Sequence, residues 1–395
     1  MTTPVAVSPY NLCPGAKNGE RFKQDITIYD TTLRDGEQMP GIAFKPAQKR
    51  DVAFYMDSIG VPQIELGFPA VSKTEVRTIR SITNEGLNAK TLALSRLLVS
   101  DVDLCVDSGV DIILLFIATS DLHLKYKLGK SKAQVLRAVT DTVQYAKDRG
   151  ALISFSSEDT TRSDLTFVHR CNKAAVDSGA RRIGITDTVG CANPEAIGHI
   201  VGTVRKRLPR DVSLGLHLHN DYGLAVANAF SGLAAGANAV ATTVLGIGER
   251  SGNVPLEEFL VGLKYLYGRD LGVDLRGLTP LAKKVARYAG LEIPLKNPLV
   301  GRNAFSHESG LHVGAVLKDP RTYESLDPAV VGNERRFILG KHSGQALIRA
   351  KLTQSGVLLG DEAIERVLLC VKALGEKKGE VSELEFRDIV KKVKG

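Results

Sequence analysis

Tryptophan is absent from the chain, and aromatic residues make up only 6% of it. Surfaces that bind nucleic acid by stacking interleave aromatics with a basic stripe, and no such stripe occurs. The lysines and arginines behind the net charge of +8 are interspersed with acids along most of the sequence. One dense cluster, Lys391, Lys392 and Lys394, falls at the C-terminal end, where cations complement a helix terminus. The positive balance therefore fits small anionic substrates, with no nucleic acid as partner. Cysteine is also scarce: Cys13, Cys105, Cys171, Cys191 and Cys370 are odd in number, scattered and never paired as CxxC. That excludes a disulfide framework and a thiolate zinc site and fits a reducing cytoplasm. No run approaches the roughly 18 apolar residues of a membrane span, so no membrane partner is expected. Residues 1–24 lack the basic start and apolar stretch of a secretory signal and read as an N-terminal arm.

What the sequence does contain is alternation. Over residues 25–245, short β-rich runs alternate with longer amphipathic stretches at a repeat of roughly 30 residues, the βαβ pattern. The runs cover 26–29, 63–67, 91–95, 111–117, 152–156, 182–186, 213–217 and 240–245. Eight such units predict an α/β fold, a (β/α)8 TIM barrel over 25–285. Helical spacing is clearest at 134–149, 224–235 and 281–289. Many runs end in polar chemistry: DTTLRD (30–35), ELGFP (65–69), SSED (156–159), TDT (186–188) and HLHND (217–221). A barrel gathers all these ends on one face, where active sites are built. Beyond 285 a small, mostly helical C-terminal region is expected, a Pro- and Gly-punctuated subdomain over 286–344 followed by short helices over 345–395.

His217 and His219 lie two apart at a strand end, so both imidazoles face one side. Paired strand histidines suit a metal, and Asp35, at the end of the first strand, supplies a carboxylate from only two positions around a closed barrel. Two His and one Asp with open positions are catalytic in character, and mixed N/O ligation suits Mn, Mg, Zn or Fe(II). The glycines of GIGERSG (246–252) lack dinucleotide-loop spacing and read as turns near the metal. GKHS (340–343) lacks the upstream glycine of a P-loop.

The run YDTTLRDGEQ (29–38) closely resembles the first-strand signature of the acetyl-CoA-condensing synthases, the family of 2-isopropylmalate, homocitrate and citramalate synthases. LHLHNDYGLA (216–225), GIGERSGN (246–253), SGLHV (309–313) and GKHSG (340–344) match further family motifs in order. The resemblance implies a divalent metal held by Asp35, His217 and His219, with Asn253 beside it, and acetyl-CoA and a small 2-oxo acid as substrates. It implies catalytic roles for Arg34, Glu158, His312 and Tyr323, and substrate contacts from Arg34, Gln38 and Thr188. It also implies a homodimer, in which His312 and Tyr323 reach over the partner's active site.

The segments KNPLVG (296–301) and KDPRTYESLDP (318–328) are most similar to homocitrate synthases, as is the short stretch after Ser343. FIATSDLHLKYKL (116–128) resembles the isopropylmalate members as much. The positions that grip a distal carboxylate in lysine-pathway homocitrate synthases match Leu98 and Ser154 here, and an apolar Leu98 suits an alkyl tail. Homocitrate synthase acting on 2-oxoglutarate is the first expectation. Citramalate synthase (pyruvate) and 2-isopropylmalate synthase (2-oxoisovalerate) are the alternatives, followed by a hydroxyacyl-CoA lyase or a non-catalytic metal-binding protein.

Overall fold

The computed structural model describes residues 5–13, 22 and 24–394; the rest of the expected arm over 1–24 lies outside the described residues. Eight parallel strands close into a barrel in chain order: β1 (Thr27–Asp30), β2 (Gln63–Gly67), β3 (Lys90–Arg96), β4 (Ile112–Ala118), β5 (Leu152–Glu158), β6 (Arg182–Asp187), β7 (Ser213–Leu218) and β8 (Ala239–Thr242), with β8 pairing back to β1. Between consecutive strands run α1 (Pro46–Ser58), α2 (Lys73–Glu85), α3 (Val99–Asp107), α4 (Lys132–Asp148), α5 (Leu165–Ser178), α6 (Pro194–Arg205) and α7 (Ala225–Ala234). After β8 come α8 (Leu256–Tyr267) and α9 (Leu278–Ala289).

The strands read as apolar runs because one parity of each packs beneath the helices. Ile113, Leu115, Ile153, Phe155, Ile183, Ile185, Leu214 and Leu216 are all buried at this layer. The other parity points into the barrel, where Tyr29, Leu92, Leu94, Leu114 and Ala241 form an inner cluster. Burying each large apolar side chain stabilises by about 1.5–3 kcal/mol.

Two boundaries differ from the sequence reading for local reasons. Helix α4 starts at Lys132 because Ser131 and Gln134 form a reciprocal capping box, Gln134 N donating to Ser131 Oγ at 3.3 Å and Ser131 N to Gln134 Oε1 at 2.8 Å. The run 240–245 is rich in β-branched residues and ends in Val244 and Leu245, but β8 stops at Thr242. Leu245 turns to φ 59°, and its N–H donates to the Glu257 carboxyl group at 3.1 Å.

The chain divides into two compact units between Glu292 and Ile293, since α9 carries through the expected boundary at 285. The second unit includes Val5, whose bridge to Leu326 ties down that part of the arm. It contains α10 (Gly310–Val316), α11 (Gln345–Gln354), α12 (Asp361–Lys378) and α13 (Glu383–Lys394), around a core that includes Val313, Leu347, Val367 and Phe386. Its close packing depends on glycine: a Cβ on Gly375 would stand 2.4 Å from the backbone of Lys341. The three terminal lysines fall in the last turn of α13. No helix among the described residues is long and apolar enough to cross a membrane, and the five cysteines are free.

Candidate active site

The C-terminal ends of the strands surround a cavity of 350 Å³. Asp35 lies in the turn that follows β1, immediately before a single 3-10 turn, Gly36–Gln38. His217 is on β7, and His219 follows it in a bridge to Asn253. Ligand atoms of Asp35, His217 and His219 all lie within 4.8 Å of one another. The two Nε2 atoms face each other at 3.3 Å, and His217 Nε2 is 3.3 Å from Asp35 Oδ2. His219 Nδ1 stands 3.2 Å from the Gly252 carbonyl. Donation there fixes the proton on Nδ1 and leaves the Nε2 lone pair free. Burial, followed by the neighbouring His217, lowers the His219 pKa to about 4, so that ring is neutral near pH 7. Burial opposes ionisation of Asp35, but Arg34 and the two imidazoles outweigh it and hold the carboxyl well below its usual range.

Asn253 braces this centre. Its Nδ2 donates to Asp35 Oδ1 at 2.9 Å and to the Ile247 carbonyl at 3.2 Å. Its own Oδ1 is buried with no hydrogen-bond partner. Buried polar atoms are seldom left unsatisfied, so an orphaned oxygen on the residue that braces Asp35, together with two imidazole Nε2 atoms and a carboxylate gathered at one point, fits a divalent cation. Gly248 makes room for the brace, because a Cβ there would lie 2.1 Å from Asn253 Nδ2 and 2.9 Å from Asp35 Oδ1.

Arg34 is fixed by two acids. It donates to Asp35 Oδ2 at 2.7 Å and, in a two-pronged pair, to Glu65 at 2.8 and 3.1 Å. Glu65, fully buried on β2, opens the ELGFP run, but the sequence assigns it no individual role. Its signal was an acid at the end of the strand next to the Arg34 segment. On β5, Ser154, Ser156 and Glu158 share one face. Ser156 and Glu158 reach the cavity, and Glu158 accepts from Lys127 Nζ at 2.6 and 2.8 Å. Gln38 and Thr188 also line the cavity, and Thr188 Oγ1 accepts the Asp159 N–H at 2.9 Å.

Two expected substrate residues are not cavity-lining. Leu98 lies beyond β3 as the cap of α3 and is 46% exposed, while Ser154 is buried deeper in β5. The apolar wall is instead Phe68, Leu94, Leu114 and Phe116. His312 and Tyr323 belong to the second unit, where their rings stack at 3.8 Å between centroids.

The HMGL-like family matches residues 25–285, and the family described as homocitrate synthase post-HMGL domain-like matches 299–379. The chain belongs to this family. Homocitrate synthase AksA of Methanopyrus kandleri is 48% identical over 93% of this chain and 92% of its own length. A putative (R)-citramalate synthase from the same organism is 43% identical over 94% of this chain and 73% of its own length. The 2-isopropylmalate synthase of Sulfolobus acidocaldarius is 43% identical over 93% and 95%. These synthases are acyltransferases that condense acetyl-CoA with a 2-oxo acid. Among solved structures, the HMG-CoA lyase of Bacillus subtilis matches with a TM-score of 0.63 at 20% identity, over 70% of this chain and 97% of its own. At that identity the likeness speaks for the barrel fold alone.

Proposed function

We propose that this protein condenses the acetyl group of acetyl-CoA with the ketone carbon of 2-oxoglutarate and releases CoA, a homocitrate synthase reaction. The observation that carries the reading is the Asp35, His217 and His219 cluster beside Arg34, at the mouth of a cavity sized for a small acid. The choice of 2-oxo acid is supported by relatives named homocitrate synthase at 43–48% identity over nearly the whole chain.

Asp35, His217 and His219 would hold a divalent metal, Mn, Mg or Zn, with Asn253 bracing Asp35. Such an ion supplies Lewis acidity to a ketone oxygen. The chain's own residues do the rest. Arg34, held rigid by Glu65 and Asp35, presents fixed N–H dipoles to the oxygen on which negative charge grows. Gln38, Thr188 and Ser156, which line the cavity, orient the acid. Two protons must be taken, one from the acetyl methyl and one from the water that hydrolyses the thioester. Glu158 serves one of these tasks. The stacked His312 and Tyr323 serve the other, delivered in a homodimer across the subunit boundary.

A second reading rests on the wall of Phe68, Leu94, Leu114 and Phe116, which suits the alkyl tail of pyruvate or 2-oxoisovalerate. Thiol release from acetyl-CoA across a panel of 2-oxo acids separates the two. The highest kcat/KM is expected with 2-oxoglutarate; a maximum with pyruvate or 2-oxoisovalerate would replace the homocitrate reading with the citramalate or isopropylmalate one. The five free cysteines are in keeping with a cytoplasmic setting.

A further inference from the structure

Three cations line the cavity, and two of them are clamped. Arg34 is bonded by both Glu65 and Asp35. Arg250 is bonded twice by Asp221, at 2.8 and 3.1 Å, and once by the Thr188 carbonyl at 2.7 Å. Lys127 alone of the three has a single partner, the Glu158 carboxylate, and its side chain is 47% exposed. A carboxylate entering against Leu94, Leu114 and Phe116 without a cation would be strongly disfavoured. A dicarboxylic acid therefore needs one of these three charges, and Lys127 is the one whose bonds are readily exchanged.

We propose that Lys127 reads the distal carboxylate of the 2-oxo acid, crossing to it from Glu158 and so releasing Glu158 for proton transfer; this rests on the 2-oxoglutarate reading above. The backbone suits a moving cation. Lys127 sits on a single π-helical turn, Leu124–Leu128, ended by Gly129 at φ 59°, and such turns are wider and rarer than α-helical ones. Lysine is a compact charge on a flexible stem, free of the fixed fork that binds Arg34 and Arg250 in place. Glu158 is not stranded by the exchange. His123 Nδ1, buried and without a hydrogen-bond partner, stands 3.8 Å from Glu158 Oε1. A substrate lacking the second carboxylate leaves Lys127 on Glu158, so discrimination enters kcat as well as KM.

The test compares 2-oxoglutarate with 2-oxopentanoate, which has the same chain length and a methyl in place of the distal carboxylate, in wild type, Lys127→Met and Lys127→Arg. The ratio of the two kcat/KM values is read on one preparation, so any inactive fraction cancels. The preference of Lys127→Met for 2-oxoglutarate is expected to fall on the order of 10- to 100-fold, the range for a lost charged hydrogen bond, with both kcat and KM contributing. Lys127→Arg should retain most of the preference. A ratio in Lys127→Met within about threefold of wild type overturns the role of Lys127 while leaving the substrate reading intact. A wild type with no preference for 2-oxoglutarate overturns both.

Discussion

Replacing Asn253 with alanine separates holding a metal from holding the fold. The Asn253→Ala change removes the bond to Asp35 Oδ1, at 2.9 Å, a loss of about 1.5–3 kcal/mol for a charged acceptor. The Ile247 carbonyl loses one donor but keeps Thr243 Oγ1 at 2.8 Å. Against this, the orphaned Oδ1 disappears, which relieves about 1–3 kcal/mol of desolvation. The terms oppose one another, so the metal-free variant should match wild type to within about 2 kcal/mol. Metal binding has no such compensation. Partners that orient a ligand are typically worth about 10- to 100-fold in metal affinity, or about 1.4–2.8 kcal/mol. The assay is titration with Mn²⁺, following free ion by its paramagnetic resonance, together with thermal unfolding of each protein with and without the ion. Wild type should gain more thermal stability from Mn²⁺ than the variant. Equal Mn²⁺ affinity in the two proteins would refute the assignment of Asn253 to the metal centre, as would a metal-free variant that is grossly unstable yet binds normally.

If His312 serves the partner's barrel, mixing inactive Arg34→Ala and His312→Ala subunits should recover up to about a quarter of wild-type activity, since half the dimers are mixed and each holds one intact site; no recovery in demonstrably mixed dimers would show that each site is built from one chain. Glu257 gives a pH prediction. Burial pushes its pKa up to about 8 from an ordinary 4.5, so the folded state keeps a proton that the unfolded chain releases, and stability falls as pH rises through that window. Glu257→Gln, which keeps an acceptor for Leu245 N, should gain thermal stability relative to wild type steadily across that window. A constant difference between the two would contradict a buried acid at this position.

The barrel was legible because its physical signals are local and repeated: eight β-rich runs, helices with apolar stripes between them, and polar residues gathered at strand ends. His217 and His219 followed from strand alternation, and Asp35 from the closure of the sheet. Other features were hidden by non-local geometry. Glu65 becomes part of the site only through its two bonds to Arg34. Leu98 was matched by sequence position, whereas the inward parity and the end of β3 put Leu94 at the cavity. The π-helical turn that carries Lys127 has no periodic signature in so short a segment. The stacking of His312 on Tyr323 and the bridge from Val5 to Leu326 depend on chain paths that spacing alone does not specify.

Metal dependence of the condensation itself is the most direct test. Protein stripped by exhaustive chelation should release no CoA from acetyl-CoA in the presence of 2-oxoglutarate, and added Mn²⁺ should restore release together with a product whose mass is that of the condensed tricarboxylic acid. Full thiol release by the stripped protein, or release in Mn²⁺ that is independent of any 2-oxo acid, would contradict a metal-centred condensation at Asp35, His217 and His219.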